Sequence, residues 1–200
     1  DSENNQNINS KFKITEYVKK VFFLINKIRI NPPKFAEVVL NYQQFVKEDG
    51  ERKIFDYKLK VGLNEGKKMF EDCATYLRNL SPMSELIFND DIILECPEEP
   101  HNIKDINYFK QKVIEKIQQQ KIQAYFKDSI KEPEISVLLM IVDDSIKNPR
   151  KKREAVLNPN YKFIGISSTV IDEVTSNNQN NNKVNQLNAD IENTINNKNN

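Results

Sequence analysis

Few side chains in this chain are of the types that carry out chemistry. His101 is the single histidine in 200 residues, so Ser-His-Asp or Cys-His catalysis would have to use it. Cys73 and Cys96 have no further cysteine or histidine at zinc-ligand spacing, and we interpret each as a buried free thiol. Asp143 and Asp144 are adjacent, and neighbouring helical residues point about 100° apart, so they indicate a polar helix end rather than an acid/base pair. The sequence predicts no catalytic residue and no cofactor.

The strongest local charge is the basic run KNPRKKR at 147–153. The chain as a whole has a net charge of only +1, which favours neither nucleic acid nor membrane as a partner. Such a run is commonly a solvated face. Its functional interpretations are a docking surface for an acidic protein, a nuclear import signal or a contact with anionic lipid. We predict a protein partner, and we assign partner binding to five residues, Lys147, Arg150, Lys151, Lys152 and Arg153.

Composition divides the chain into one domain and two polar ends. The first residues are almost entirely polar, and the last 25 include 12 asparagines, so neither end buries enough apolar surface to offset the entropy of ordering it. We expect disorder at 1–14 and 172–200, and one domain at 15–171. The low cysteine count favours an intracellular compartment. Because the chain starts at Asp1 rather than Met, a secreted protein that has lost its leader stays an alternative.

The elements that must position these residues are mostly helices. Apolar residues at helical spacing predict a helix over 18–28, ended by Pro32 and Pro33, and a second over 34–42 capped by Asn31. Similar patterns predict helices over 64–80 and 105–119, and another that opens at Glu134.

Strand signals are fewer. The charged stretch 49–60 indicates a loop, and 123–131 is ambiguous between strand and loop. The segment 161–171, YKFIGISSTVI, is the best strand, with Gly165 at a position where a neighbour approaches closely. The fold class predicted from these elements is α+β.

Three segments, in order, resemble the CAP/SCP superfamily in the form found in bacteria, plants and protists. LINKIRINPPKFAEVV at 24–39 is similar to that family's Asn, Arg, Pro and Phe-Ala motif. YLRNLSPMSELIFNDDI at 76–92 is similar to the approach to its first metal-site helix. LLMIVDDSIKNPRKKREAVLNPNYKFIGIS at 138–167 resembles a helix ending in two aspartates, a basic turn, an Asn-Pro and an aromatic strand. The resemblance implies an α-β-α sandwich, in which helices flank a central antiparallel sheet. We predict that 161–167 forms a central or near-central strand of that sheet.

The same resemblance implies a degenerate metal site. Metal-binding members use two histidines and two acidic residues, and Lys152 stands where the second histidine is expected; a protonated lysine has no lone pair for a cation. His101 lies near the first histidine's place and is a weak candidate ligand. We therefore predict no metal site and no enzyme, but a CAP-like module that acts as a structural or interaction subunit of a larger assembly. The alternatives are a lipid- or sterol-binding protein and, third, a metal-dependent hydrolase.

Overall fold

The computed structural model of the chain describes residues 14–93 and 111–168, apart from 113, 116, 120–121, 125, 127–128 and 145–149. These residues form helices and a small three-stranded antiparallel sheet, which confirms a mixed α+β fold. The chain divides into two compact units. The larger unit comprises Lys19–Ile87 and Ile130–Lys162, and the described part of the other unit lies within 14–18, 88–93, 111–129 and 163–168.

The first two helices follow the sequence prediction closely. Helix α1 spans Glu16–Ile30 and α2 spans Pro32–Gln43. The side chain of Asn31 accepts a hydrogen bond from the Lys34 N–H at 3.3 Å, which confirms the predicted cap. Proline is tolerated in the first turn of α2 because the N–H groups there have no helical acceptor.

The segment predicted as a loop at 49–60 instead forms most of a three-stranded meander, so that prediction was wrong. Strands β1 (Val46–Asp49), β2 (Arg52–Tyr57) and β3 (Leu59–Leu63) pair antiparallel in the order β1-β2-β3. Gly50 and Lys58 have positive φ values of 55° and 49° at the two reversals. The sheet is anchored by the fully buried Phe55, which stacks on Phe70 with ring centroids 6.0 Å apart. The charged residues of segment 49–60 do not take part in the Phe55–Phe70 contact. They interrupt its apolar residues, so the sequence contains no apolar run from which strands could be predicted.

Two further helices complete the core of the larger unit. Helix α3 spans Lys67–Arg78, shorter than the predicted 64–80, and α4 spans Pro133–Val142. Both bury an apolar face, as their periodicity predicts. A short helix α5, Lys151–Val156, follows α4. Part of the helix predicted over 105–119 is described, and it is helical at 111–112, 114–115 and 117–119.

The strand predicted over 161–171, with 161–167 in a central or near-central position, is corrected by the structure. Only β5, Phe163–Ile164, is a strand in the described part of this segment, and it pairs with β4, Ile87–Phe88, in a two-stranded sheet that has no central position. The pairing includes hydrogen bonds from the Ile87 N–H to the Lys162 carbonyl and from the Asn89 N–H to the Ile164 carbonyl. The close approach predicted at Gly165 is confirmed, because a Cβ atom there would lie 3.0 Å from backbone atoms of Ile92 and Ile93. Residues 169–171 are outside the described residues.

Candidate functional site

The basic turn is anchored by one buried arginine. Arg153 is 1 % exposed and its guanidinium donates to the Ile141 and Val142 carbonyls, each at 2.6 Å, and to the Asp72 carboxylate at 2.7 Å. It also lies 5.5 Å from the ring centroid of Tyr76. These bonds tie the start of α5 to the end of α4 and to α3, because Arg153, the two carbonyls and Asp72 come from those three helices. Arg153 is therefore a structural clamp.

Asp143 holds the same turn from the other side. It ends α4 in the left-handed conformation, with φ of 51°, and its Oδ2 accepts the N–H groups of Lys152 and Arg153 at 2.8 and 3.3 Å. Burial raises the pKa of Asp143, and the hydrogen bonds from those two N–H groups oppose the rise. Its Oδ1 is buried and has no hydrogen-bond partner among the described residues. The carboxylate of Asp143 therefore fixes the backbone of the turn.

The carboxylate of Asp72 accepts hydrogen bonds from both arginines of the turn. Its Oδ2 lies 2.7 Å from Arg153 and 3.2 Å from Arg150. Burial acts to raise the pKa of Asp72, but the hydrogen bond and charge of Arg153, with a smaller effect of Arg150, hold it below the ordinary value. The side chain of Asp72 is still 40 % exposed, so solvent screens part of this interaction. Nothing in the sequence pointed to Asp72, because its partners are 78 and 81 residues away.

The five residues assigned to partner binding do not form one continuous surface. Arg153 is buried, which corrects its assignment to a partner-binding surface. On the short helix α5 the side chain of Arg153 turns inward, whereas that of Lys151 turns outward. Lys151 is exposed, and Lys152 and Arg150 are partly exposed. Lys147 and the weak candidate ligand His101 lie outside the described residues.

The two aspartates of the polar helix end diverge, as predicted. Asp144 accepts the backbone N–H groups of Asn64, Glu65 and Gly66 at 2.9 to 3.1 Å, on the opposite side from the turn that Asp143 holds. These bonds satisfy N–H groups that precede α3, and the cap residue Gly66, with a positive φ of 68°, lies immediately before the first helical residue, Lys67. The pair does not converge on a common point and supports no acid/base chemistry.

Cys73 is the buried free thiol that the sequence predicted, while Cys96 lies outside the described residues. Its Sγ donates to the Ile141 carbonyl at 3.3 Å. Burial raises the pKa of the Cys73 thiol to about 12. Since the thiolate is the nucleophile, Cys73 is inert in the folded chain.

We expect that inertness to be measurable. Against a thiol of ordinary pKa, a pKa of about 12 lowers the thiolate fraction by roughly a thousandfold. In a Cys96→Ser variant, an aromatic disulfide reagent at mildly alkaline pH should therefore label Cys73 at least a hundredfold more slowly in buffer than in denaturant. Equal rates in the two conditions would show that the thiol is accessible in the folded state.

The Asn and Arg of the first family-like segment are structural. Asn26 is 4 % exposed and makes two hydrogen bonds with the Leu86 backbone, at 3.0 and 2.8 Å. The fully buried Arg29 donates to four backbone carbonyls, those of Ser84, Val156, Asn158 and Tyr161. Burial lowers the pKa of Arg29. Both side chains thus bond to backbone groups and have a structural role.

Neither a metal cluster nor a membrane-spanning helix is found in the described ranges. No three His, Cys, Asp or Glu side chains there come together as ion ligands, and no helix there is long and apolar enough to cross a bilayer. Comparisons with models of protein families, with curated proteins and with solved structures give no match.

Proposed function

We propose that the chain is a non-catalytic CAP/SCP-like module, an α-β-α sandwich that acts as a structural or interaction subunit of a larger assembly. The family part of the proposal rests on the three ordered segments, two of which contain the internal clamps Asn26, Arg29 and Arg153. The functional part rests on one observation: buried hydrogen bonds fix a turn that carries cationic groups on its outer side.

The physical support is preorganisation. Arg153 and Asp143 together make five hydrogen bonds that hold the backbone at 150–153. Arg150, which begins α5, has a left-handed backbone with φ of 70°. A charged surface on a fixed backbone loses little entropy when a partner binds, and opposite charge on the partner speeds association. We therefore infer that Arg150, Lys151 and Lys152 recognise an acidic protein surface, with Lys147 as a further predicted contact.

Replacing Arg150, Lys151 and Lys152 together with Gln tests this proposal without disturbing the Arg153 clamp. If each exposed ion pair contributes about 0.2–1 kcal/mol, three together lower partner affinity by roughly threefold to a hundredfold. The salt dependence of binding should also flatten, because three screened interactions are lost. The measurement is quantitative recovery of the partner from cell extract at two salt concentrations, after circular dichroism confirms folding.

A control variant, in which the exposed Lys34, Lys67 and Lys68 are changed to Gln, removes the same number of positive charges elsewhere. Recovery should be unchanged for this control. Equal loss in both variants would assign the effect to net charge, and retained recovery in both would move recognition to another face.

The alternative, a lipid- or sterol-binding protein, is supported by exposed apolar side chains on α1. Phe23 is 52 % and Ile30 is 48 % exposed, and seven residues apart they share one helix face. Lys27 lies between them, with its ammonium 5.4 Å from the Phe23 ring centroid. Mass spectrometry of an organic extract of the purified chain separates the two proposals, since a bound lipid supports only the second. For the third alternative, a metal-dependent hydrolase, the described residues bring together no cluster of metal-ligating side chains.

A further inference from the structure

The two edges of the three-stranded sheet differ in charge. At one edge is β1, in which three of the four residues, Lys47, Glu48 and Asp49, are charged. At the other edge is β3, LKVGL, in which Lys60 is the single charged residue. Charged side chains on an edge strand oppose its pairing with another chain. The β1 edge is protected in this way, and the β3 edge is not.

Within the described residues β3 pairs with β2 alone, so no strand is hydrogen-bonded to its outer side. Lys60 and Gly62 are exposed on one face, while Leu59, Val61 and Leu63 are half-buried on the other. A Cβ atom at Gly62 would meet no other side chain or backbone within 4 Å, and Gly62 does not have a positive φ. Position 62 therefore has room for a side chain on the exposed face of the strand.

We propose that β3 pairs antiparallel with β3 of a second copy of this chain, about a twofold axis perpendicular to the sheet. The two meanders would then form one six-stranded sheet. In such a self-complementary contact, residue i lies opposite residue j and j lies opposite i. Opposite residues must also share a face of the sheet, so the axis passes beside a residue and not between two residues.

Charge and length select the register. An axis at Lys60 would place two lysines directly opposite each other, which is unfavourable. An axis at Gly62 would leave Leu59 without an opposite residue in the strand. With the axis at Val61, all five residues pair: Val61 meets its own copy, Leu59 meets Leu63, and Lys60 meets Gly62. The cation thus faces the one residue of β3 that has no side chain.

Two variants at Gly62 test this register with opposite signs. Gly62→Lys places a second cation opposite Lys60 twice per dimer, whereas Gly62→Glu places a carboxylate there. Both add a long side chain to the same open position, so the effects of size and of strand propensity are matched. From two cross-strand charge pairs we expect the dimer Kd to rise by roughly tenfold for Gly62→Lys and to fall by roughly threefold to tenfold for Gly62→Glu.

Sedimentation velocity of the full chain measures these dissociation constants. Concentrations up to about 1 mM are used, because a five-residue edge makes a small interface. The parent should show reversible dimerisation. Higher salt should tighten the Gly62→Lys dimer and weaken the Gly62→Glu dimer, because screening acts on repulsion in one and on attraction in the other. Amide hydrogen exchange in β3 should slow with increasing concentration while exchange in β1 stays constant.

The proposal is overturned by a parent that stays monomeric across this range, by a dimer whose Kd moves in the same direction in both variants, or by a dimer unaffected by either. The last result would place the contact on another face. None of these three outcomes bears on the basic turn, since Gly62 lies outside it.

Discussion

Replacing Arg29 with Met is expected to lower the free energy of unfolding by about 3–5 kcal/mol, because several backbone carbonyls lose their charged hydrogen-bond donor. The guanidinium lies 2.9 Å from the Ser84 carbonyl and 2.7 Å from the Val156 carbonyl. It lies 3.0 Å from the Asn158 carbonyl and 3.3 Å from the Tyr161 carbonyl. Methionine fills a similar volume but donates nothing, so four carbonyl oxygens lose a charged donor. Each buried oxygen left unsatisfied costs about 1–3 kcal/mol, and relief of the buried charge offsets part of that sum.

Urea unfolding followed by far-ultraviolet circular dichroism measures the effect, and two variants calibrate it. Arg29→Lys keeps the charge but not the planar fork, so its loss should be intermediate. Arg78→Met removes a surface ion pair with Glu37, in which both side chains are about half exposed or more, and should cost less than about 1 kcal/mol. An Arg29→Met variant as stable as Arg78→Met would mean that water replaces the guanidinium at the four carbonyls.

The helical part of the fold could be predicted from the sequence because its signals are local. Apolar periodicity identified α1 to α4, and Asn31 and the prolines marked their ends by direct effects on backbone N–H groups. The meander at 46–63 gave no such signal. Its strands are four to six residues long, its burial is concentrated at Phe55, and one of its reversals depends on a positive φ at Lys58, which is not a turn-forming residue.

The sequence located the basic turn but not its geometry. KNPRKKR indicated a concentration of charge, yet residues three or four apart share a helix face, so consecutive basic residues cannot all point to solvent. Arg153 is directed inward by acceptors on two other helices. Such pairs between distant residues form by tertiary packing, so no spacing of residues in the sequence predicts them.

Changing Arg153 to Met should therefore destabilise the fold by about 3–5 kcal/mol, whereas Arg150→Met, in the same turn and on the same carboxylate, should cost less than about 1 kcal/mol. Arg153 is 1 % exposed and has two further carbonyl acceptors, while the Arg150 side chain is 42 % exposed and forms an ion pair with Asp72 at 3.2 Å. Urea unfolding at neutral pH measures both. Similar losses in the two variants would contradict the assignment of Arg153 as the clamp.

The pH dependence separates the electrostatic part of that effect from packing. Asp72 has a lowered pKa in the folded chain, so its ionised form contributes stability above its unfolded pKa, and this contribution is lost as pH falls through the folded pKa. Without Arg153 the lowering largely disappears, and Asp143 also loses an opposing charge that limits its raised pKa. The gap in stability between parent and Arg153→Met should therefore be largest at neutral pH and should narrow as pH falls below the ordinary carboxyl pKa towards the lowered pKa of Asp72. A gap that is independent of pH would assign the loss to packing and to the two carbonyl hydrogen bonds alone.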